Sequence, residues 1–144
     1  MRTLTRAVGS RDIGGEPLPP VFRTLEANKI VIRRAEVSMI AGTPGAGKST
    51  LALAIALKTK VPTLYVSADT NAHTMAMRLL SMITGKSQTD TEKMLIDDVE
   101  GSRKTINEHS NHVFWSFDSA PTLADIDLEV SAFEELWEIG RAHV

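Results

Sequence analysis

The chain has 144 residues, 42% of them apolar and 24% charged, with a formal charge of −2. That is the composition of one small globular domain or part of a larger one, and its slight acidity argues against coating nucleic acid by bulk charge while leaving room for a local patch or a ring. Cysteine is absent, which excludes a disulfide framework and a thiolate metal site, and the four histidines (His73, His109, His112 and His143) have no ligand-like spacing. No apolar run approaches the roughly 18 residues of a membrane span, and the N-terminus lacks the apolar core of a signal peptide. The expected location is the cytoplasm, with no membrane partner.

Residues 1–21 are polar and contain "GGEPLPP"; Pro and Gly at this density predict a flexible N-terminal arm. Residues 30–32 suit a short strand, and residues 37–41, "VSMIA", suit a better one that runs into a glycine loop. "STLALAIALKTK" follows as a helix whose basic end suits the helix dipole. "VPTLYVSADT" reads as a second buried strand, with Pro62 at its start where a missing N–H is tolerated. "NAHTMAMRLLSMITG" is a helix with Met75, Leu79, Met82 and Ile83 on its core face and Gly85 as its stop, the methionines filling the core rather than touching a cofactor.

"TDTEKMLIDDVEGSRKTINEH" predicts one or two exposed helices, and "HVFWSF" a third strand. "PTLADIDLEVSAFEELW" is a helix that Thr122 can cap, with Asp125 three residues on and an apolar stripe of Leu123, Ile126, Val130 and Phe133. Its other face is acidic and reads as solvated. Strands alternating with helices predict an α/β fold: a parallel sheet with helices on both faces. Three strands alone would leave an unpaired sheet edge, so marginal folding is expected.

Residues 42–49, "GTPGAGKS", satisfy G-x-x-x-x-G-K-[ST], between the expected strand and the expected helix. This is the phosphate loop of a P-loop NTPase (the Walker A motif), and Gly42, Thr43, Pro44, Gly45, Ala46, Gly47, Lys48, Ser49 and Thr50 are its expected nucleotide-binding residues. Gly45 and Gly47 let backbone N–H groups turn toward phosphate oxygens, and the helix opening at Lys48 adds the positive end of its dipole. Lys48 is expected to reach the β- and γ-phosphates of ATP, and the Ser49 hydroxyl to hold Mg²⁺. The motif predicts binding of a nucleoside triphosphate without naming the reaction.

Hydrolysis needs a group that orients or deprotonates water. "YVSADT" puts Asp69 at the carboxyl edge of the sheet, where ligands of open α/β sheets bind. By position alone Asp69 is either a general base or the aspartate of a helix start capped by Thr70 or Asn71.

Taken in order, "AGTPGAGKST", "YVSADTNAHTMAMRLL" and "FDSAPTL" resemble the RecA-like ATPase domain of DnaB-type replicative helicases, especially the divergent forms of bacteriophages. In that family the strand after the phosphate loop ends in Ser-Leu-Glu-Met, whose glutamate activates water, and an arginine follows nine positions later. Ser67, Ala68, Asp69 and Thr70 fall on that motif, and Arg78 falls at the arginine's spacing. The resemblance, over residues 22–137, implies that Asp69 is the catalytic carboxylate alongside Lys48. It also implies ATP and Mg²⁺ as cofactors, a homo-oligomeric (hexameric) ring, single-stranded DNA as partner and, if phage-encoded, the bacterial host cytoplasm. Two departures stand out: aspartate replaces glutamate, shortening the base by a methylene, and the helix from Thr122 is acidic where many relatives carry arginines, so no nucleotide or DNA contact is transferred to it.

In phosphate-loop ATPases the acidic residue supporting Mg²⁺ ends a further apolar strand, and no such segment follows Phe117. The expectation is therefore an incomplete RecA-like domain, binding nucleotide weakly and hydrolysing little alone. Residues 138–144, "EIGRAHV", match a translation of the adapter oligonucleotide common in short-read sequencing and are expected to be a non-native tail. Rival readings are a RecA- or RadA-like recombinase or a related circadian-clock-type ATPase on the same fold, a small phosphoryl-transfer kinase, disfavoured by the roughly 40 residues before the loop, and a non-hydrolysing nucleotide-binding module such as a helicase loader or a ring subunit using nucleotide only for assembly.

Overall fold

The structure, a computed structural model, describes residues 15–142. Most of the expected arm (residues 1–14) and the end of the expected tail (residues 143–144, with His143) lie outside the described residues. The chain divides into two compact units, Met1–Lys48 and Ser49–Val144, and each is described by itself.

In the first unit the helix α1 covers Arg23–Ala27. Pro17 and Arg33 form an isolated antiparallel bridge, flanked by Leu18 N–H to Ile32 O at 2.8 Å and Arg34 N–H to Glu16 O at 2.9 Å. The inner part of the Pro- and Gly-containing stretch is thus tied to residues 32–34, where a free arm was expected. Proline is tolerated here because its missing N–H faces no partner strand.

The strands expected at residues 30–32 and 37–41 do not form; residues 37–41 have no ladder partners among the described residues. Val37 is fully exposed and Met39 89% exposed. Apolar pattern alone does not make a strand, because a strand's N–H and C=O groups need a neighbouring strand to bond to.

The second unit carries the rest of the fold, beginning with α2, Lys48–Thr59, the helix that opens at the end of the glycine loop. There follow β1 (Thr63–Val66), α3 (Ala72–Thr84), α4 (Gln88–Asp97), α5 (Val99–Ser110), β2 (Val113–Ser116) and α6 (Leu123–Ala142). β1 and β2 pair in parallel, Thr63 opposite Val113 and Val66 opposite Ser116, forming a two-stranded sheet. The α/β class and the parallel pairing agree with expectation, and the sheet is smaller than the three strands predicted.

Side chains alternate across the sheet. One face carries Tyr65, Val113 and Trp115 onto a core of Leu53 and Leu57 from α2 and Met75 and Leu79 from α3. The Tyr65 and Trp115 rings lie 5.3 Å apart. Met82 and Ile83 pack at the edge of this core, so the predicted face of α3 is the observed one. At the start of β2, buried His112 bonds the Ala56 carbonyl through Nε2 at 3.0 Å, which requires the proton on Nε2 because a carbonyl only accepts.

Helix boundaries follow their caps. Asn71 accepts the Thr74 N–H to open α3, and Gly85, at φ 71°, closes it by donating to Ser81 O, in the left-handed region that favours glycine. The charged stretch resolves into two helices hinged at Asp98, which ends α4 and caps α5 by accepting from Gly101 N–H. The polar faces hold this pair together: Ser102 Oγ, 1% exposed, donates to Met94 O at 3.0 Å.

α6 covers the other sheet face. Phe133 meets Phe114 edge-on at 5.1 Å, and Glu129 Oε1 accepts from Ser116 Oγ at 2.6 Å. Its start is a capping box: Asp125 Oδ2 accepts the Thr122 N–H and hydroxyl, and Thr122 Oγ1 accepts the Asp125 N–H. Part of the predicted apolar stripe is corrected, since Leu123 is 82% and Val130 39% exposed. Only the narrow Ile126, Glu129 and Phe133 row faces inward, because a two-stranded sheet is too narrow to cover a full helix face. The helix also continues through residues 138–142, beyond the predicted stop at Trp137.

Leu53, 1% exposed in the core, and Leu123, exposed on α6, make a pair of opposites. Leu53→Ala should cost about 2–5 kcal/mol of unfolding free energy, and Leu123→Ala less than about 0.5 kcal/mol. Urea denaturation followed by circular dichroism measures both.

Candidate functional site

In the first unit the glycine loop has the conformation that its composition requires. Gly45 and Gly47 stand at φ 78° and 83°, a region other L-residues rarely adopt. A Cβ at either position would meet nothing within 4 Å, so backbone conformation, not space, demands glycine there. Left-handed residues in such a turn make a concavity of N–H groups suited to an anion. Ala46 N–H is engaged by Thr43 O at 3.2 Å. The Lys48 ammonium folds back onto the loop, donating to Gly42 O at 3.1 Å and Thr43 O at 3.0 Å.

The first four N–H groups of a helix lack intrahelical partners, and α2 has no acidic residue in its first turn. Donors and one ammonium, with no acidic side chain in the motif, have the chemistry that an anion requires. Ser49 and Thr50 have exposed side chains. Among the described residues no three His, Asp or Glu side chains gather as a metal site, and no helix is long and apolar enough to cross a membrane.

In the second unit the residues after β1 converge. Asp69 is exposed, and its Oδ1 accepts from the Thr70 hydroxyl at 3.1 Å and, at the outer limit, from the Ser67 hydroxyl at 3.5 Å. Arg78 Nη1 donates to Thr70 Oγ1 at 3.3 Å. Ser67, buried, also donates to Thr70 O at 3.2 Å. Because Asn71 caps α3, neither Thr70 nor Asp69 is spent on capping. Arg78 further lines a cavity of about 180 Å³ with Thr50, Leu53, Ser81, Met82 and Gln88.

Tyr65, beneath this cluster, was not singled out in the sequence. Burial pushes its phenol above the usual value of 10.0, the Asp69 charge pushes it further up, and Arg78 opposes them. The Thr70 hydroxyl was also missed as a functional group; its signal was a second hydroxyl residue beside the acid, since Ser67 and Thr70 bracket Asp69.

Comparison with known proteins adds to this geometry. The family of DnaB-like helicase C terminal domains matches residues 18–135. The chain is 34% identical over 143 residues to the Gene 65 protein of Mycobacterium phage L5, covering 96% of this chain and 52% of that protein. It is also 34% identical over 102 residues to the Gene 65 protein of Mycobacterium phage D29, covering 69% and 43%. The chain thus spans about half the length of the curated relatives it matches. No solved structure matches it.

The chain has one tyrosine, so absorbance at alkaline pH reads Tyr65 alone. A raised phenol pKa favours the neutral form in the fold. Its contribution to stability is complete below the unfolded value and is lost as pH rises through the folded one. The midpoint should lie above 10.0, fall in Asp69→Asn and rise in Arg78→Met. Shifts of the same sign in both variants would contradict the arrangement.

Proposed function

Since the chain belongs to the family of DnaB-like helicase C-terminal domains, we propose that it is the nucleotide-binding part of a phage replicative helicase motor. The observation that carries the reading is the glycine loop: Gly45 and Gly47 in the left-handed region, followed at once by Lys48 and a helix start. This donor set fits a polyphosphate, and the absence of an acidic side chain from the motif suits its charge. ATP with Mg²⁺ supplies the phosphoryl group whose transfer to water drives the motor.

Within that reading Gly42, Thr43, Gly45, Ala46 and Gly47 wrap the phosphates through backbone N–H groups, Pro44, which has no N–H, shapes the turn, and Thr50 follows in the first turn of α2. Lys48 leaves its two carbonyl partners to meet the phosphate charge, exchanging neutral acceptors for anionic ones. The Ser49 hydroxyl would hold Mg²⁺, whose charge would offset that of the phosphates. Asp69 orients the attacking water and takes its proton. In the whole protein these parts work in a homo-hexameric ring that encircles single-stranded DNA in the cytoplasm of the infected cell.

A second reading is supported by one residue. Asp69 stands where the helicases it resembles have glutamate, and a shorter acid suits a module that binds nucleotide for assembly without turnover. Comparing ATP hydrolysis by the full-length wild-type protein with that of Asp69→Asn separates the two, because only the motor reading requires a large loss.

The binding claim has its own test. Equilibrium dialysis of ATP with Mg²⁺ should show saturable binding to the wild-type chain. Lys48→Ala should raise Kd by tenfold or more, about 1.4 kcal/mol at least. Equal affinity in the two proteins would remove the phosphate-loop reading.

A further inference from the structure

We infer that Thr70 is a positioning residue: its hydroxyl, held by Arg78, fixes the Asp69 carboxylate so that one oxygen is anchored and the other is left for water. The inference rests on Asp69 being the water-activating acid. It concerns a residue for which the resemblance supplies no role, since methionine stands at that place in the family motif.

Hydrogen-bond polarity sets the direction of the chain of contacts. A guanidinium only donates, so at 3.3 Å from Arg78 Nη1 the Thr70 oxygen is the acceptor. Its single proton is then directed to Asp69 Oδ1, 3.1 Å away. The Ser67 hydroxyl also has one proton, and the Thr70 carbonyl at 3.2 Å is a nearer acceptor than Asp69 at 3.5 Å. Thr70 is therefore the principal anchor of Oδ1. Asp69 Oδ2 has no hydrogen-bond partner among the described residues, and the side chain is exposed.

The interposed hydroxyl has a chemical consequence that a direct ion pair lacks. A guanidinium bonded straight to a carboxylate occupies it, often bidentately. Here Arg78 makes no ion pair among the described residues and acts on Asp69 through Thr70. The acid is oriented and keeps an oxygen for water. Orientation matters more for aspartate than for glutamate, since its short stem cannot reach a water from several rotamers.

A capping or packing role does not explain the arrangement. Asn71 caps α3, and Thr70 is outside the buried core of Leu53, Leu57, Met75, Leu79 and Val113. The hydrogen-bond partners of its hydroxyl are the acid and the arginine.

The test separates position from chemistry. In the ligand-free 144-residue chain, NMR three-bond couplings should place Asp69 in one χ1 rotamer. Thr70→Val, equal in size but without the hydroxyl, should average them, and Thr70→Ser should restore them. In the full natural chain Thr70→Val should lower kcat for ATP hydrolysis about tenfold to a hundredfold with KM within about twofold. Thr70→Ser should recover most of it, and adding Thr70→Val to Asp69→Asn should change nothing further. A fixed Asp69 rotamer or an unchanged kcat in Thr70→Val overturns the inference while leaving Asp69 as the base. Full turnover in Asp69→Asn, or none in the wild type, overturns the catalytic reading of Asp69 and the inference with it.

Discussion

Two four-residue strands cannot hold a parallel sheet by their own hydrogen bonds; what fixes β1 beside β2 is the apolar contact beneath them. Parallel pairs are joined only through a long crossover, here α3, α4 and α5, and sheets this small need packing to persist. Leu53 and Leu57 from one side and Met75 and Leu79 from the other meet Val113, Tyr65 and Trp115. The same packing sets the polar cluster. Arg78 immediately precedes buried Leu79 and lies three residues after buried Met75, so the turn that buries those two also aims Arg78 along the rim toward Thr70. Position at the strand end and position on the helix are thereby one geometric fact.

Polar groups inside this unit are largely satisfied by the backbone. Thr91, with no exposed surface, donates to Gln88 O at 2.9 Å, and Ser110 to Ile106 O at 2.8 Å. Two buried atoms among the described residues have no partner, His112 Nδ1 and Glu129 Oε2. Each belongs to a side chain whose other polar atom is well bonded, so half of each group secures the structure and half stands at a cost. His112 immediately precedes β2 and bonds α2, while Glu129 bonds Ser116 at the end of β2.

Local signals were the legible part of the sequence. The Asn71 and Gly85 ends of α3, the Thr122 and Asp125 box, the strands around Leu64 and Phe114 and the glycine loop follow from a few adjacent residues and appear in the structure. What depends on distant neighbours was not legible. Residues 37–41 have a strand's composition without a strand beside them, and Leu123 and Val130 fit an apolar stripe but find no surface to cover. The polar cluster was half visible: Asp69 and Arg78 could be paired by spacing, while the Thr70 hydroxyl between them is a matter of side-chain direction. Position left open whether Asp69 opens a helix or serves chemistry, and the Asn71 cap shows that the helix does not need it.

The run ahead of the glycine loop has a consequence for handling the protein. Val37, Met39 and Ile40 stand exposed in a stretch with no strand partner among the described residues. Bare apolar surface with open backbone groups attracts its like, so the solution state of the chain is a matter of concentration and cosolute as much as of fold. Sulfate and phosphate strengthen apolar burial in general, so they should promote association through this stretch. Dilute chloride buffers keep chains apart, and nucleotide measurements made in them read the loop rather than its crowding.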